Sequence, residues 1–190
     1  FLFQLFAFML RPANGAELSA SEEQVIRNAI AASLGAGPEG RTLKAFSTLL
    51  RGRIRAGEGD LLARLESWMR ADQRGWLFDN DEDRFSISSV FGFDMTRVLD
   101  DPVIRTAALM YIFHRTEELL TGDPVMIFLD EGWRLLDDGV FAFFIRDKLK
   151  TIRKQNGIIG FGTQSAGDIV RSKSSNTLIE QTSTNIFFPN

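Results

Sequence analysis

Residues 125–133, VMIFLDEGW, place five apolar residues directly before two acids, Asp130 and Glu131. A run of that kind belongs in the centre of a sheet. Its C-terminal end opens onto the crevice where open α/β sheets bind ligands. An acid there can hold a Mg²⁺-bound water, and a second acid beside it can orient and polarise a water attacking a phosphoryl group. Asp130 is thus the candidate for the metal and Glu131 for the water. Acids are also good turn formers, so a strand ending in two of them is compatible with no chemistry at all.

A second apolar run, GIIGFGTQS at 157–165, ends in Thr163, Gln164 and Ser165. Neighbouring strands of a parallel sheet end at one level. From there Gln164 can reach a γ-phosphate or its attacking water and report whether phosphate is still present. The competing reading is an amide in a helix-capping turn.

Such a site also needs a loop to cradle phosphates, Gly-x-x-x-x-Gly-Lys-[Ser/Thr] between a strand and a helix. The nearest match is GAGPEGRT at 35–42, with Arg41 where Lys belongs. An amphipathic helical pattern, not a strand, precedes it, and Pro38 removes a backbone N–H that a phosphate would need. It reads as a helix–helix connection. The stretch FAFFIRDKLKTIRKQNG carries Phe141, Ile145, Leu149 and Ile152 at helical spacing, with Arg146, Lys150, Arg153 and Lys154 beside them. The basic stripe is either a solvated face or a source of a charge, Arg153 or Lys154, that meets phosphate or an acid in a neighbouring subunit. RGRIR at 51–55 reads as a solvated helix end, His114 as a helix residue at the core edge, and Phe144 and Phe161 as core.

The elements that must hold these residues follow from periodicity. The first part is helical: FLFQLFAFML reads as the end of a buried helix, against an export signal missing its start. SASEEQVIRNAIAASLG has Ser19 or Ser21 as N-cap and Gly35 as its stop, and two further helices begin at Thr42 and Asp60. GWLFDN and RFSISSVFGFDM, aromatic and β-branched, read as strands. Then come a helix over 102–120, a strand at 125–129, a helix over 140–155, a strand at 157–163, a short helix in SAGDIVRS and a last strand in TNIFF. Apolar strands alternating with helices indicate an α/β fold whose parallel strands are buried on both faces. Residues 1–74 are the helical part and 75–190 the α/β core.

Composition narrows the chemistry. The chain has 190 residues, 44% of them hydrophobic and 25% charged, which suits a globular protein. A net charge of −3 argues against a surface built mainly to coat nucleic acid. With no cysteine and one histidine, thiolate zinc sites, disulfide scaffolds, cysteine nucleophiles and histidine-rich metal sites are excluded.

Taken in order, GWLFDN, GFDMTRVLDD, YIFHRTEELLTGDPVMIFLDEGWRLLDD, IRDKLKTIRKQNG, TQSAGDIV and EQTSTNIFFPN resemble the CagE/TrbE/VirB family of conjugal-transfer ATPases, the motors of type IV secretion systems. The resemblance covers nearly the whole chain and is weakest before about Ser19. It implies a RecA-like P-loop NTPase core with a helical insertion, ATP and Mg²⁺ as cofactors, and a ring oligomer, a hexamer. It also implies other secretion components as partners, with DNA or protein as cargo, and a place in the bacterial cytoplasm on the inner face of the inner membrane. By the same resemblance Asp130 serves the metal and the nucleotide, Glu131 and Gln164 are catalytic and contact the nucleotide, and Arg153 acts in trans. The phosphate loop would lie upstream of Phe1, so the chain is expected to be a C-terminal ATPase segment that does not hydrolyse ATP alone. Two alternatives differ in function: a DNA-translocating coupling protein of the same superfamily, and a non-catalytic assembly module without a phosphate loop.

Overall fold

The computed structural model describes residues 1–50, 60–83, 85, 89–164, 167, 170 and 175–188. It resolves two compact units, Phe1–Met95 and Thr96–Asn190.

In the first unit, α1 (Leu2–Met9) and α2 (Ala20–Gly35) pack together, and α3 (Leu43–Leu50) packs against α2. Ser19 caps α2 in a reciprocal box: its hydroxyl accepts from the Glu22 N–H at 3.3 Å, and the Glu22 carboxylate accepts from the Ser19 N–H at 2.7 Å. Residues 35–42 do join two helices, with one 3₁₀ turn at Pro38–Gly40 between α2 and α3. In α4 (Leu61–Glu66), Asp60 caps the first turn by accepting from the Leu62 N–H at 3.0 Å. The RGRIR cluster falls outside the described residues.

Polar ties lock this apolar packing. The buried Trp68 indole donates to the Met9 carbonyl at 2.9 Å, across 59 positions of chain. Arg64 donates to the Leu10 carbonyl at 2.6 Å and pairs with Glu22, both side chains being mostly buried. Burial alone would raise the Glu22 carboxyl. The Ser19 N–H, Arg64 and the Ser19 hydroxyl outweigh it and hold the group below its ordinary value. A carboxylate whose pKa is depressed by folding stabilises the fold at pH above its unfolded value, and that contribution is lost as pH falls through the folded one. The thermal midpoint of wild type should therefore exceed that of Glu22→Gln at pH 6, and the gap should close below about pH 4.3, the ordinary glutamate value. A gap that persists unchanged at pH 3 would mean that the ion pair contributes nothing.

GWLFDN is not a strand. Its first four residues form a helical turn, α5 (Gly75–Phe78). The chain reverses after α4 through bonds from the Arg74 N–H to Ser67 O at 3.1 Å and from the Gly75 N–H to Arg70 O at 2.9 Å. The reversal sets Phe78 against Trp68, with ring centroids 6.0 Å apart. Aromatic content favours strands only where a ladder partner exists, and here packing on Trp68 decides instead. RFSISSVFGFDM lies partly outside the described residues, and its part at 89–95 holds no strand. Phe85, Phe91 and Phe93 cluster on one another, with Phe85 and Phe93 stacked at 5.3 Å.

The second unit is built on one strand–helix–strand crossover. Helix α6 (Pro102–Glu118) starts at Asp101, whose carboxylate accepts from the N–H groups of Val103 and Ile104 at 2.8 and 3.1 Å. Strand β1 (Val125–Leu129) leads through a 3₁₀ turn at Gly132–Leu135 to α7 (Gly139–Thr151). A second 3₁₀ turn, Ile152–Gln155, delivers the chain to β2 (Gly157–Phe161) through Asn156, whose φ is +58°. The two strands run parallel, from Val125 opposite Gly157 to Leu129 opposite Phe161.

Helix α7 buries Phe141, Phe144 and Ile145, and Phe113 of α6 stacks on Phe144 with centroids 3.7 Å apart. Lys148 shares this inner face: its side chain, 8% exposed, pairs with Glu117 at 3.0 Å and Asp147 at 3.4 Å. Arg146, Lys150, Arg153 and Lys154 are exposed.

The sheet departs from the sequence expectation in two ways. Met126, Phe128 and Ile158 are 70%, 63% and 66% exposed, so among the described residues β1 and β2 are covered on one face rather than on both. TNIFF forms no strand: Ile186, Phe187 and Phe188 are exposed, and no described strand pairs with them. An apolar β-branched run forms a strand only when a neighbour accepts its backbone bonds. SAGDIVRS lies mostly outside the described residues. Helix α8 (Ser175–Gln181) packs on α7. No described helix is long and apolar enough to cross a membrane.

Candidate functional site

Parallel pairing in register brings the polar ends of β1 and β2 to one edge. The ladder runs one residue past the strands, with the Gly162 N–H donating to Leu129 O at 2.9 Å. Asp130 therefore stands beside Gly162. A Cβ at Gly162 would lie 3.1 Å from Asp130 Oδ1, so the absence of a side chain there leaves room for the carboxylate.

Glu131 turns the chain. Its φ of +51° is left-handed, a conformation that costs a non-glycine residue on the order of 1 kcal/mol. The following 3₁₀ turn closes with the Arg134 N–H donating to Glu131 O at 3.1 Å. Gly132 allows that turn to lie on β2, since a Cβ there would meet the Phe161 ring at 2.8 Å. The result carries the Glu131 side chain across the strand ends. There Gln164 Nε2 donates to Glu131 Oε1 at 2.5 Å, linking residues 33 positions apart.

Asp130, Glu131 and Gln164 thus gather at one edge of the sheet. Arg153 does not join them. It lies on the turn before β2, at the opposite end of a strand pair about 16 Å long. Its side chain is exposed. Arg134, which sequence reasoning did not single out, pairs with Asp100 at 3.7 Å close after the acids. Asp138 is a further residue that spacing did not mark. It caps α7 from a buried position and receives the Thr106 hydroxyl at 2.7 Å. Its one sequence signal was an acid directly before a Gly-started helical pattern.

The donor set suits some ligands and not others. Among the described residues no group of three His, Asp, Glu or Cys side chains could hold a metal ion. One exposed carboxylate, Asp130, fits an ion such as Mg²⁺, which keeps several waters and is held largely by substrate phosphates. It does not fit an all-protein metal cage.

The architecture and the site together define an α/β protein with a strand–helix–strand unit whose acids and amide meet at the C-terminal strand ends. No family model matches the chain. It is 42% identical over 180 residues to the type IV secretion system protein virB4 of Bartonella henselae, an overlap of 94% of this chain and 22% of the relative. It is 47% identical over 128 residues to virB4 of Bartonella quintana, covering 67% of this chain and 16% of the relative. To the type IV secretion system protein PtlC of Bordetella pertussis it is 33% identical over 200 residues, covering all of this chain and 24% of the relative. The chain belongs to the VirB4 family of type IV secretion system proteins, and it spans about a fifth of the length of the relatives it matches.

Proposed function

We propose that this chain supplies the acid-and-amide part of an ATP site in a type IV secretion motor. The contact between Glu131 and Gln164 at the ends of paired parallel strands carries the reading. On this view β1, α7 and β2 are part of a RecA-like core.

Asp130 would hold Mg²⁺ through water, and the bound ion would neutralise charge on the β- and γ-phosphates. Glu131 takes the proton of the attacking water as the water oxygen bonds to phosphorus and the bond to the ADP oxygen breaks. Arg153, at the far edge of the sheet, suits a neighbouring copy in a ring, a hexamer, better than its own Glu131. The complete protein would work on the cytoplasmic face of the bacterial inner membrane with other secretion components, moving protein or DNA. The VirB4 and PtlC names of its relatives support the secretion role.

The test is phosphate release by the complete protein. Turnover that requires Mg²⁺ is the expected result. A complete protein that binds ATP in no condition would leave the non-catalytic assembly module as the better account.

A further inference from the structure

We infer that Gly160 and Gly162 of β2 form a seat for the Phe128 ring, and that Gly162 and this ring position the Asp130 carboxylate. That role rests on the reading above, in which Asp130 holds Mg²⁺.

A glycine inside a strand weakens it, and it marks a bulge or a close approach. The run GIIGFGT places glycines at 160 and 162, two positions apart and therefore on one face. The pairing holds one register without a bulge, from Val125 opposite Gly157 to Leu129 opposite Phe161, and the Gly162 N–H extends it to Leu129 O at 2.9 Å. Close approach is what remains. Residues in register on parallel strands share a face, so Phe128 stands beside Gly160 and Asp130 beside Gly162.

The Phe128 ring leans across onto β2. A Cβ at Gly160 would lie 2.7 Å from Phe128 Cδ2 and 3.1 Å from Cε2. A Cβ at Gly162 would lie 3.5 Å from Cζ and 3.6 Å from Cε1 of the same ring, and 3.1 Å from Asp130 Oδ1. The ring thus covers both glycines, and its far end shares the notch at Gly162 with the carboxylate. Phe128 is 63% exposed, so the bare backbone of β2 is the surface it lies on.

A carboxylate at a strand end can take several staggered rotamers. The ring on one side and the notch in β2 on another give Oδ1 a defined place. An ion held by one protein carboxylate and by substrate phosphates depends on that placement more than an ion in a cage of protein ligands does.

Neither glycine has a positive φ, so alanine adds a methyl there without backbone strain. In the complete protein the readout is the affinity for AMP-PNP, measured by calorimetry with Mg²⁺ and again in EDTA. Gly162→Ala should lower the factor by which Mg²⁺ raises that affinity about tenfold, the lower end of what losing an outer-shell support costs. Affinity in EDTA should match wild type, which reports that the variant is folded. Gly160→Ala and Phe128→Leu should each lower the factor less. Adding Gly160→Ala to Phe128→Leu should change nothing further, because the first acts only through the ring, whereas adding Gly162→Ala should lower the factor again. A wild-type factor in Gly162→Ala, or equal losses with Mg²⁺ and in EDTA, would overturn the positioning role and leave the ATPase reading intact. Additive losses from Gly160→Ala and Phe128→Leu would overturn the part given to the ring. A wild-type protein whose AMP-PNP affinity ignores Mg²⁺ would sink the reading of Asp130, and the inference with it.

Discussion

Glu131→Gln in the complete protein is expected to bind Mg²⁺-ATP with wild-type affinity and to release phosphate about 10³-fold more slowly. The substitution preserves size. It replaces a proton acceptor with an amide that cannot take a proton from water at neutral pH. The left-handed backbone at Glu131 and the turn that follows it are set by Gly132 and the Phe161 ring, not by the carboxylate, so the corner itself should persist. The bond from Gln164 would become an amide–amide contact, weaker than the charge-assisted one it replaces. Stopped-flow phosphate release beside equilibrium ATP binding separates the two steps. A variant that hydrolyses ATP at the wild-type rate would remove Glu131 from the proton transfer and leave it a turn residue.

The second large effect is on stability. Asp138→Ala should destabilise the unit that holds the site by about 3 kcal/mol. Asp138 is buried, and its Oδ1 accepts from the N–H groups of Val140 and Phe141 at 2.9 and 3.2 Å, capping α7. Its Oδ2 takes the Thr106 hydroxyl at 2.7 Å and the Arg105 guanidinium at 3.5 Å, both from α6. Removing the carboxylate takes away the cap, worth about 1 kcal/mol, and leaves the Thr106 hydroxyl without this acceptor. Arg105 retains a bond to the Leu99 carbonyl at 2.9 Å, which limits the loss. Asp138→Asn, which keeps the capping oxygen, should lose roughly 1 kcal/mol. Urea unfolding with an unchanged m-value checks both. A loss below about 0.5 kcal/mol in Asp138→Ala would mean that water replaces the carboxylate at no cost.

The two variants probe different levels of legibility. Glu131 stood out as a candidate because two acids directly follow a five-residue apolar run, a pattern that a turn alone would also allow. Asp138 did not, because DD before a glycine looks like any polar turn, and only the packing of α6 on α7 turns that carboxylate into a junction. Lys148 escaped for the same reason. Spacing places it in the helix, but only the ring of Phe144 and the acids Glu117 and Asp147 explain why a lysine is tolerated on the inner face.

What the sequence determined by itself was local: a capped start of α2 at Ser19 or Ser21, the cap at Asp60, the strand at 125–129 and the crossover helix over about 140–155. Each follows from hydrogen bonds and apolar spacing within a few residues. It also narrowed the candidates for chemistry, since side-chain type limits what can accept a proton or hold a hard cation. Tertiary structure decided the rest. GWLFDN became a helical turn because Trp68 offered Phe78 a surface, and TNIFF stayed out of the sheet because no described strand lies beside it. The contact of Gln164 with Glu131 depended on β1 and β2 pairing in one register, and a slip of one residue would point the two side chains to opposite faces. Residues 33 positions apart meet only when the whole crossover is folded.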